Sequence, residues 1–543
     1  MTIAPDVTVV VAVYNTMPYL TECLNSLVGQ TIGPERLEVV AVNDGSTDGS
    51  GEELDRFAAL HPGTVKVIHQ ENSGGPAAPS NRALDVATGR YVYFIGSDDY
   101  LGEEALARMV ACADEHGSDV VVGKMVGTNG RYVRQSLYLT SDPDISLYGD
   151  ELPFALANTK LFRRELVEKY ELRFPEDLPV GSDQPFTIEA CVRARKISVL
   201  GDYTYYYAVK RGDASNITYR ADHLARLRCT AEIMKHTAGL IEPGPDRDAV
   251  LKRHFTWELA KLVQEDFPLL DRSTQRAVCD GIAQLADEYL TDGLRDALDV
   301  KRRVRVLLAQ RGAVDELIRA VTGEAEHGAP PFLLEDGRAY ARYPGLRDPG
   351  GVLPDRGFEL IGESVPGRLA AGTQLISVEL EQTAHVMTLV LALRIGVTGE
   401  TTSAVVRLAQ GAMPKSADKA AARRLPAGHE LPPAVGEFTR EETPDGGGTL
   451  LTARIPVDPV KAKRGARVYV DVAGSTYEIP IRSRDLPLPL ARRWREKIPY
   501  RVSVNANPKG RLVITTAPLW ESRAGLFARL RPLLSRLKRK VTR

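Results

Sequence analysis

Through the first 125 residues, short apolar runs alternate with stretches whose apolar positions recur at helical spacing. Val7–Val13, Leu37–Asn43, Val65–His69, Tyr91–Gly96 and Asp119–Gly123 are bounded by turn residues and predict strands. Between them, Tyr19–Gln30, Glu52–Leu60, Pro79–Ala87 and Glu103–His116 predict helices. In the first of these, Leu20, Leu24, Leu27 and Val28 share one face, with Pro18 near the first turn. Such alternation predicts parallel strands joined by crossover helices, a doubly wound α/β sheet. Ligands of these sheets bind beyond the carboxyl ends of the strands.

The pattern then changes twice. Residues 126–220 are mixed, with helical spacing in Arg163–Tyr170 and Gln184–Ala194 and strand patterns in Ile197–Leu200 and Tyr203–Val209. Residues 221–325 read as helical, as in His254–Gln264, Arg276–Tyr289 and Val314–Val321, with a break at Pro243 and Pro245. From Pro330 to Pro518, glycine and proline turns separate β-rich runs: Leu375–Glu381, Val386–Ile395, Thr449–Ile455, Val468–Val472 and Arg511–Thr516. That composition predicts a β-sandwich region. Ser416–Arg424 reads as a charged loop or a short helix. The expected organisation is a catalytic α/β domain over 1–220, a helical linker over 221–329, a β-rich region over 330–518 and a tail over 519–543. A chain of 543 residues has room for about three domains at roughly 150 residues each.

Composition narrows the class. With 43% hydrophobic residues and a net charge of −1, the chain has real cores and no global pull toward nucleic acid or membrane. The exception is Ser522–Arg543, which holds eight basic residues and no acid. Within it, Phe527, Leu530, Leu534 and Leu537 fall on one side, interrupted by Pro532, which reads as an amphipathic segment for peripheral contact with a membrane surface. The bland alternative is a docking helix or a disordered basic tail. The five cysteines are widely spaced and none forms a C-x-x-C pair, which points to reduced thiols in a cytoplasmic setting and away from zinc. Met1–Asp6 has neither the basic region nor the apolar stretch of a signal peptide, and no segment reads as membrane-spanning.

Four segments carry chemistry. Val42-Asn43-Asp44-Gly45-Ser46 ends a strand, where Asp44 is placed to accept from the imide N–H of a base or to form an Asx-turn. Asn72 to Arg82 is a loop of small residues entering a helix, with Arg82 in reach of a phosphate or simply on the surface. Gly96-Ser97-Asp98-Asp99-Tyr100 ends a second strand; its carboxylates suit Mg²⁺ or Mn²⁺ on a diphosphate, or a helix start. Asp183 lies at the mouth of a helix as a candidate general base or as that helix's cap, a geometry that would lower its pKa. His223 and His254 read as packed or solvated rather than metal-bound. Tyr203, Tyr205, Tyr206 and Tyr207 read as a strand, one face of which could stack on a sugar or base.

These four segments in this order, with Val9–Asn15 before them, resemble the family 2 glycosyltransferases of GT-A fold over residues 5–220. Val121–Met125, Asn129-Gly130-Arg131 and the helical linker with its β-rich sequel resemble the wall teichoic acid poly(ribitol-phosphate) N-acetylglucosaminyltransferases. The resemblance implies an inverting, metal-dependent transfer of N-acetylglucosamine or a related hexose from a UDP-sugar to a polyol-phosphate or polysaccharide acceptor. It assigns Ala12, Tyr14 and Asp44 to uridine, and Asn72 and Arg82 to the nucleotide sugar. Asp98 and Asp99 would bind Mn²⁺ or Mg²⁺, with Ser97 beside them at the substrate. Asp183 would be the catalytic base. Lys210, Arg211 and Ser215 would close over the diphosphate, and Lys124 would touch donor or acceptor. Three positions depart from the family pattern: Gly96 replaces the first acid of D-x-D, Ser182 an acid before the base, and Ala12 a proline. The β-rich region would bind glycopolymer or assemble a homodimer or homotrimer. Competing readings are a transferase for capsular or extracellular polysaccharide, a non-catalytic glycan-binding scaffold favoured by Gly96, and a nucleotidyltransferase. The last should carry a Gly-rich basic loop after the first strand, and Ala12–Thr16 has none.

Overall fold

The computed structural model describes residues 4–519 except 212–221, 336–337, 384–385, 400, 411–421, 444–447, 459, 473, 484–485 and 496–497. Ser215 and the basic tail therefore lie outside the described residues, as does most of Ser416–Arg424. The chain forms two compact units, Met1–Leu298 with Ala309–Val314, and Asp299–Leu308 with Asp315–Arg543.

The first unit is built on β1 (Val7–Val13), α1 (Tyr19–Val28), β2 (Leu37–Asp44), α2 (Ser50–Leu60), β3 (Val65–Gln70), α3 (Ala77–Leu84) and β4 (Tyr91–Gly96). β5 (Tyr100–Leu101), α4 (Ala105–His116), β6 (Val120–Gly123), β7 (Met125–Thr128), β8 (Leu161–Arg163), α5 (Arg164–Lys169), α6 (Asp183–Arg193), β9 (Ile197–Leu200) and β10 (Tyr206–Val209) follow. The main sheet runs β3-β2-β1-β4-β8-β6-β9. β1 to β4 are parallel, as expected from their apolar runs. β8 is antiparallel to both β4 and β6, so the sheet is mixed rather than wholly parallel. β8 was unreadable because three residues run straight into α5 without a turn signal.

Helices cover both faces of the sheet. Val7, Val9 and Val11 pack with Leu20, Leu24 and Leu27 of α1, while Val10, Val40, Val42 and Phe94 pack on the other side with Ala83 of α3 and Phe186 of α6. Burying such a Val, Leu or Phe side chain is worth roughly 1.5–3 kcal/mol. Ala12 pairs with both Val42 and Gly96, so β1, β2 and β4 end level with one another. A second sheet, β5-β10-β7, brings Tyr206–Val209 beside the acids that follow β4.

The helical stretch begins with α7 (His223–Leu240) and α8 (Pro245–Arg253). The expected continuous helix over His254–Gln264 is instead a π-helical turn, His254–Glu258, followed by a short α segment, Leu259–Lys261. No helix among the described residues is long and apolar enough to cross a membrane.

The second unit is a β-sandwich region. It contains a three-stranded sheet, a four-stranded antiparallel sheet centred on Met387–Ile395 and Thr449–Pro456, and a seven-stranded sheet whose edge is Leu490–Arg495. Arg423–Arg424 forms a two-residue strand in the last sheet, not a loop or helix.

Candidate active site

The turn after β1 is stitched to the turns after β2 and β4. Tyr14 is 47% exposed and the next residue, Asn15, takes a left-handed conformation (φ 48°). Asn15 N–H donates to Ser46 Oγ (3.1 Å), and Asn15 Oδ1 accepts from Thr47 N–H (2.8 Å). Thr16 N–H donates to Ser50 Oγ (3.0 Å), and Thr16 Oγ1 bonds Ser97 Oγ (2.9 Å). The turns that carry Tyr14, Asp44, Ser97 and Asp98 therefore meet at the carboxyl ends of β1, β2 and β4, next to Ala12.

Asp44 is buried and its carboxylate is already engaged. Gln70 Nε2 (2.6 Å) and Ser73 N–H (3.0 Å) donate to Oδ1, and Ser73 Oγ (2.9 Å) donates to Oδ2. Asn72 Nδ2 reaches the Asp44 carbonyl at 2.9 Å. A Cβ at Gly45 (φ 72°) would lie 2.8 Å from Asn72 N, so only glycine permits this approach. Asp44 and Asn72 thus shape the loop that leads to α3. That loop borders a cavity of about 190 Å³, with Ser73, Gly74 and Ala78 on one side and Glu176, Leu178 and Pro179 on the other. Arg82 is exposed one turn beyond Ala78, on the same helical face.

The two acids after β4 do different work. Asp99 is buried; its Oδ2 accepts from Tyr206 Oη (2.5 Å) and its Oδ1 from Val209 N–H (2.6 Å), with Arg131 at 3.5 Å. Burial first, then the Asp98 charge, pushes its carboxyl up to about 6. Both oxygens serve the β4–β10 junction, which argues against Asp99 as a metal ligand. Asp98 is partly exposed, and its Oδ2 accepts from Arg211 Nε at 2.7 Å. Its Oδ1 has no hydrogen-bond partner among the described residues, which leaves one oxygen for a cation. No three His, Cys, Asp or Glu side chains among the described residues form a metal cage by themselves. A Cβ at Gly96 would sit 3.1 Å from an oxygen of each acid, so the position has little space for a third carboxylate.

Asp183 is the first residue of α6, with Ser182 in the cap position, and no side-chain capping bond forms. The cap alternative therefore fails. Burial raises the Asp183 carboxyl from its ordinary value, while the charges of Arg253 and Lys160 pull it back. Arg253 belongs to a clamp on the same turn: it pairs with Glu258 (3.0 Å) and approaches Gln184 Oε1 (3.4 Å). Buried Lys160 donates to the carbonyls of Ala155 and Ala157, and burial lowers it to about 8.

Residues 8–171 match the model of Glycosyl transferase family 2. The chain carries a family 2 glycosyltransferase domain. Residues 222–321 match the Glycosyl transferase TarS linker domain. The poly(ribitol-phosphate) beta-glucosyltransferase of Bacillus spizizenii is 40% identical over 214 residues, 39% of this chain and 34% of that protein. The poly(ribitol-phosphate) beta-N-acetylglucosaminyltransferase TarS of Staphylococcus aureus is 42% identical over 204 residues, 37% of this chain and 35% of that protein. The chain thus spans about a third of the length of these curated relatives. The crystal structure of S. aureus TarS shares the fold, with a TM-score of 0.59 at 22% identity over 95% of this chain and 86% of that one. A TarS 1–349 structure in complex with UDP-GlcNAc aligns with a TM-score of 0.55 at 29% identity, over 62% of this chain and 97% of that one.

Other expected residues fall less centrally. Lys124 joins β6 to β7 and its backbone bonds Leu200 and Tyr205, but its side chain makes no hydrogen bond or ion pair among the described residues. Lys210 is exposed beside Arg211. The tyrosine strand is not a stacking face: Tyr205 and Tyr206 are buried, and Tyr207 stacks on Tyr100 at 4.6 Å. His254 is fully buried and burial lowers it to about 4, so it is a neutral packed residue. Sequence reasoning missed Arg253, Glu258 and Lys160 around the base. Their only signal was charge inside apolar helical spacing.

Proposed function

We propose that this chain transfers a sugar from a UDP-sugar to a hydroxyl of a polyol-phosphate polymer of the teichoic acid class, with inversion at the anomeric carbon. The named relatives act on poly(ribitol phosphate), and a TarS fragment was solved with UDP-GlcNAc. The "beta" in both relatives' names fits inversion of an α-linked donor. The observation that carries the mechanism is Asp183: a carboxylate with raised pKa, not tied up as a cap, at a helix mouth four residues past the cavity wall at Pro179. Asp183 takes the acceptor's hydroxyl proton as that oxygen bonds to the anomeric carbon. The bond from that carbon to the UDP oxygen breaks. Arg211, held by Asp98, and the neighbouring Lys210 balance charge on the departing diphosphate. Asp98, through its Oδ1, would hold Mn²⁺ or Mg²⁺, and the cation when bound would supply charge neutralisation at the leaving diphosphate.

Asp183→Asn should lower turnover about 10²–10⁴-fold with poly(ribitol phosphate) and UDP-GlcNAc or UDP-glucose. Near-wild-type turnover in a folded variant overturns the role. Separately, EDTA should abolish transfer and added Mn²⁺ or Mg²⁺ restore it; full activity in EDTA removes the cation from the reading.

A further inference from the structure

The ends of β2 and β3 stand in register, Asn43 against His69 and Asp44 against Gln70. Successive residues of a strand face opposite sides of the sheet. The first pair turns toward α2: His69 Nδ1 bonds Asn43 Nδ2 and His69 Nε2 bonds Asp55 Oδ1, each at 3.0 Å. The second pair turns toward the loop that leads to α3, and there Gln70 Nε2 donates to Asp44 Oδ1 at 2.6 Å. Asp44 is 2% exposed and Gln70 is half-buried, so the carboxamide is the outer member of the pair.

Asp44 does not depend on this bond. Ser73 alone supplies its N–H to Oδ1 and its hydroxyl to Oδ2, and Asn72 Nδ2 lies 3.4 Å from Oδ2. What the bond does is orient the carboxamide. A carboxylate only accepts, so the nitrogen of Gln70 faces Asp44 and its oxygen faces away. The second N–H of Gln70 and its Oε1 have no hydrogen-bond partner among the described residues. Asp44 Oδ1 already takes two donors, whereas Oδ2 takes one at 2.9 Å and has a second lone-pair direction to offer. The pair therefore presents a carboxylate acceptor beside an amide donor. That edge is the complement of an imide, whose N–H lies between two carbonyls. Cytosine carries a bare ring nitrogen where uracil carries the N–H, which would set two acceptors against each other.

We propose that Gln70 reads the base of the donor nucleotide: its remaining N–H donates to a uracil carbonyl while Asp44 accepts from the imide N–H. The inference rests on the UDP-sugar reading above and adds a specificity residue to it.

The test measures affinities of the full chain by calorimetry for UDP, CDP, GDP, 2-thio-UDP and 4-thio-UDP. Sulfur in place of a carbonyl oxygen is a poor acceptor. In the wild-type chain, one of the two thio analogues should bind about three- to tenfold more weakly than UDP, the worth of one hydrogen bond. In Gln70→Met, UDP should fall to that level and the thio penalty should vanish, because both changes remove the same bond. The penalty is a ratio within one variant, so partial unfolding of that variant does not alter it. A Gln70 that only buttresses Asp44 would weaken UDP and both analogues alike and leave the penalty in place, which overturns the inference. Wild-type UDP affinity in Gln70→Met, or equal binding of UDP and both analogues by the wild-type chain, also overturns it. A wild-type chain that prefers CDP or GDP to UDP overturns the UDP-sugar reading itself.

Discussion

At the scale of single residues, the site divides its carboxylates by environment. Asp99 lies under Tyr206 and Val209 and holds two sheets together, whereas its neighbour Asp98 faces Arg211 with one oxygen to offer. Adjacent in sequence, they differ because the turn after β4 brings one against β10 and the other against Arg211. Asp183 is tuned by a third environment. Arg253 lowers its pKa and Glu258 raises it, and the Arg253–Glu258 pair couples those effects. Replacing Arg253 by Met removes the cation and leaves Glu258 unpaired; both changes favour the protonated form of Asp183. A base with a raised pKa loses its proton only at higher pH. The acidic limb of the kcat/KM profile should therefore move to higher pH in Arg253→Met and return in Arg253→Lys. A rate loss without a shift in that limb shows that Arg253 acts through packing alone.

At the scale of elements, the cavity depends on a clamp between α3 and the strand-like segment before α6. Asn81 Nδ2 donates to the Phe174 carbonyl and to Glu176 Oε1, and Asn81 Oδ1 accepts from Phe174 N–H, each at 2.9 Å. Asn81→Ala strands the Phe174 backbone groups, and each buried polar group left without a partner costs about 1–3 kcal/mol. Urea unfolding should show a lower midpoint at unchanged slope, and kcat/KM for the donor should fall as the loop to Asp183 loosens. Unchanged stability removes the clamp from the argument. Such ties mark the limit of what the sequence reveals. β1 and β4 were legible to the residue because an apolar run closed by turn residues is local information. β5, β7 and β8 are too short to show a period. The Tyr206–Asp99 bond joins residues 107 apart, so neither side signals it. The π-helical turn keeps His254, Phe255 and Leu259 fully buried and follows helical spacing closely enough to be read as ordinary helix. The four segments that carry chemistry were recognisable by order, but which oxygen of which acid is available depends on partners brought by the fold.

At the scale of the whole molecule, composition and packing divide the chain at different places. Glycine, proline and β-rich runs begin near Pro330, yet the second compact unit begins at Asp299. The helix Val300–Gln310 explains the difference. Arg303 is fully buried and its guanidinium donates to the backbone carbonyls of Gly357 (3.1 Å) and Glu359. Val300 N–H donates to Glu363 Oε1 (2.7 Å), and Arg305 pairs with Glu324 (3.0 Å). A chain cut after residue 329 keeps Arg303 but loses these two acceptors, and breaking a buried charge's contacts costs about 3–5 kcal/mol. It also uncovers Leu307, which lies against Gly357. A fragment ending at 329 should therefore aggregate or melt at lower temperature than one ending at 372, which retains Gly357, Glu359 and Glu363. Arg303→Leu in the shorter fragment should recover part of the difference, because an apolar side chain there asks for no acceptor. Equal melting temperatures for the two fragments would place the boundary at the composition change instead.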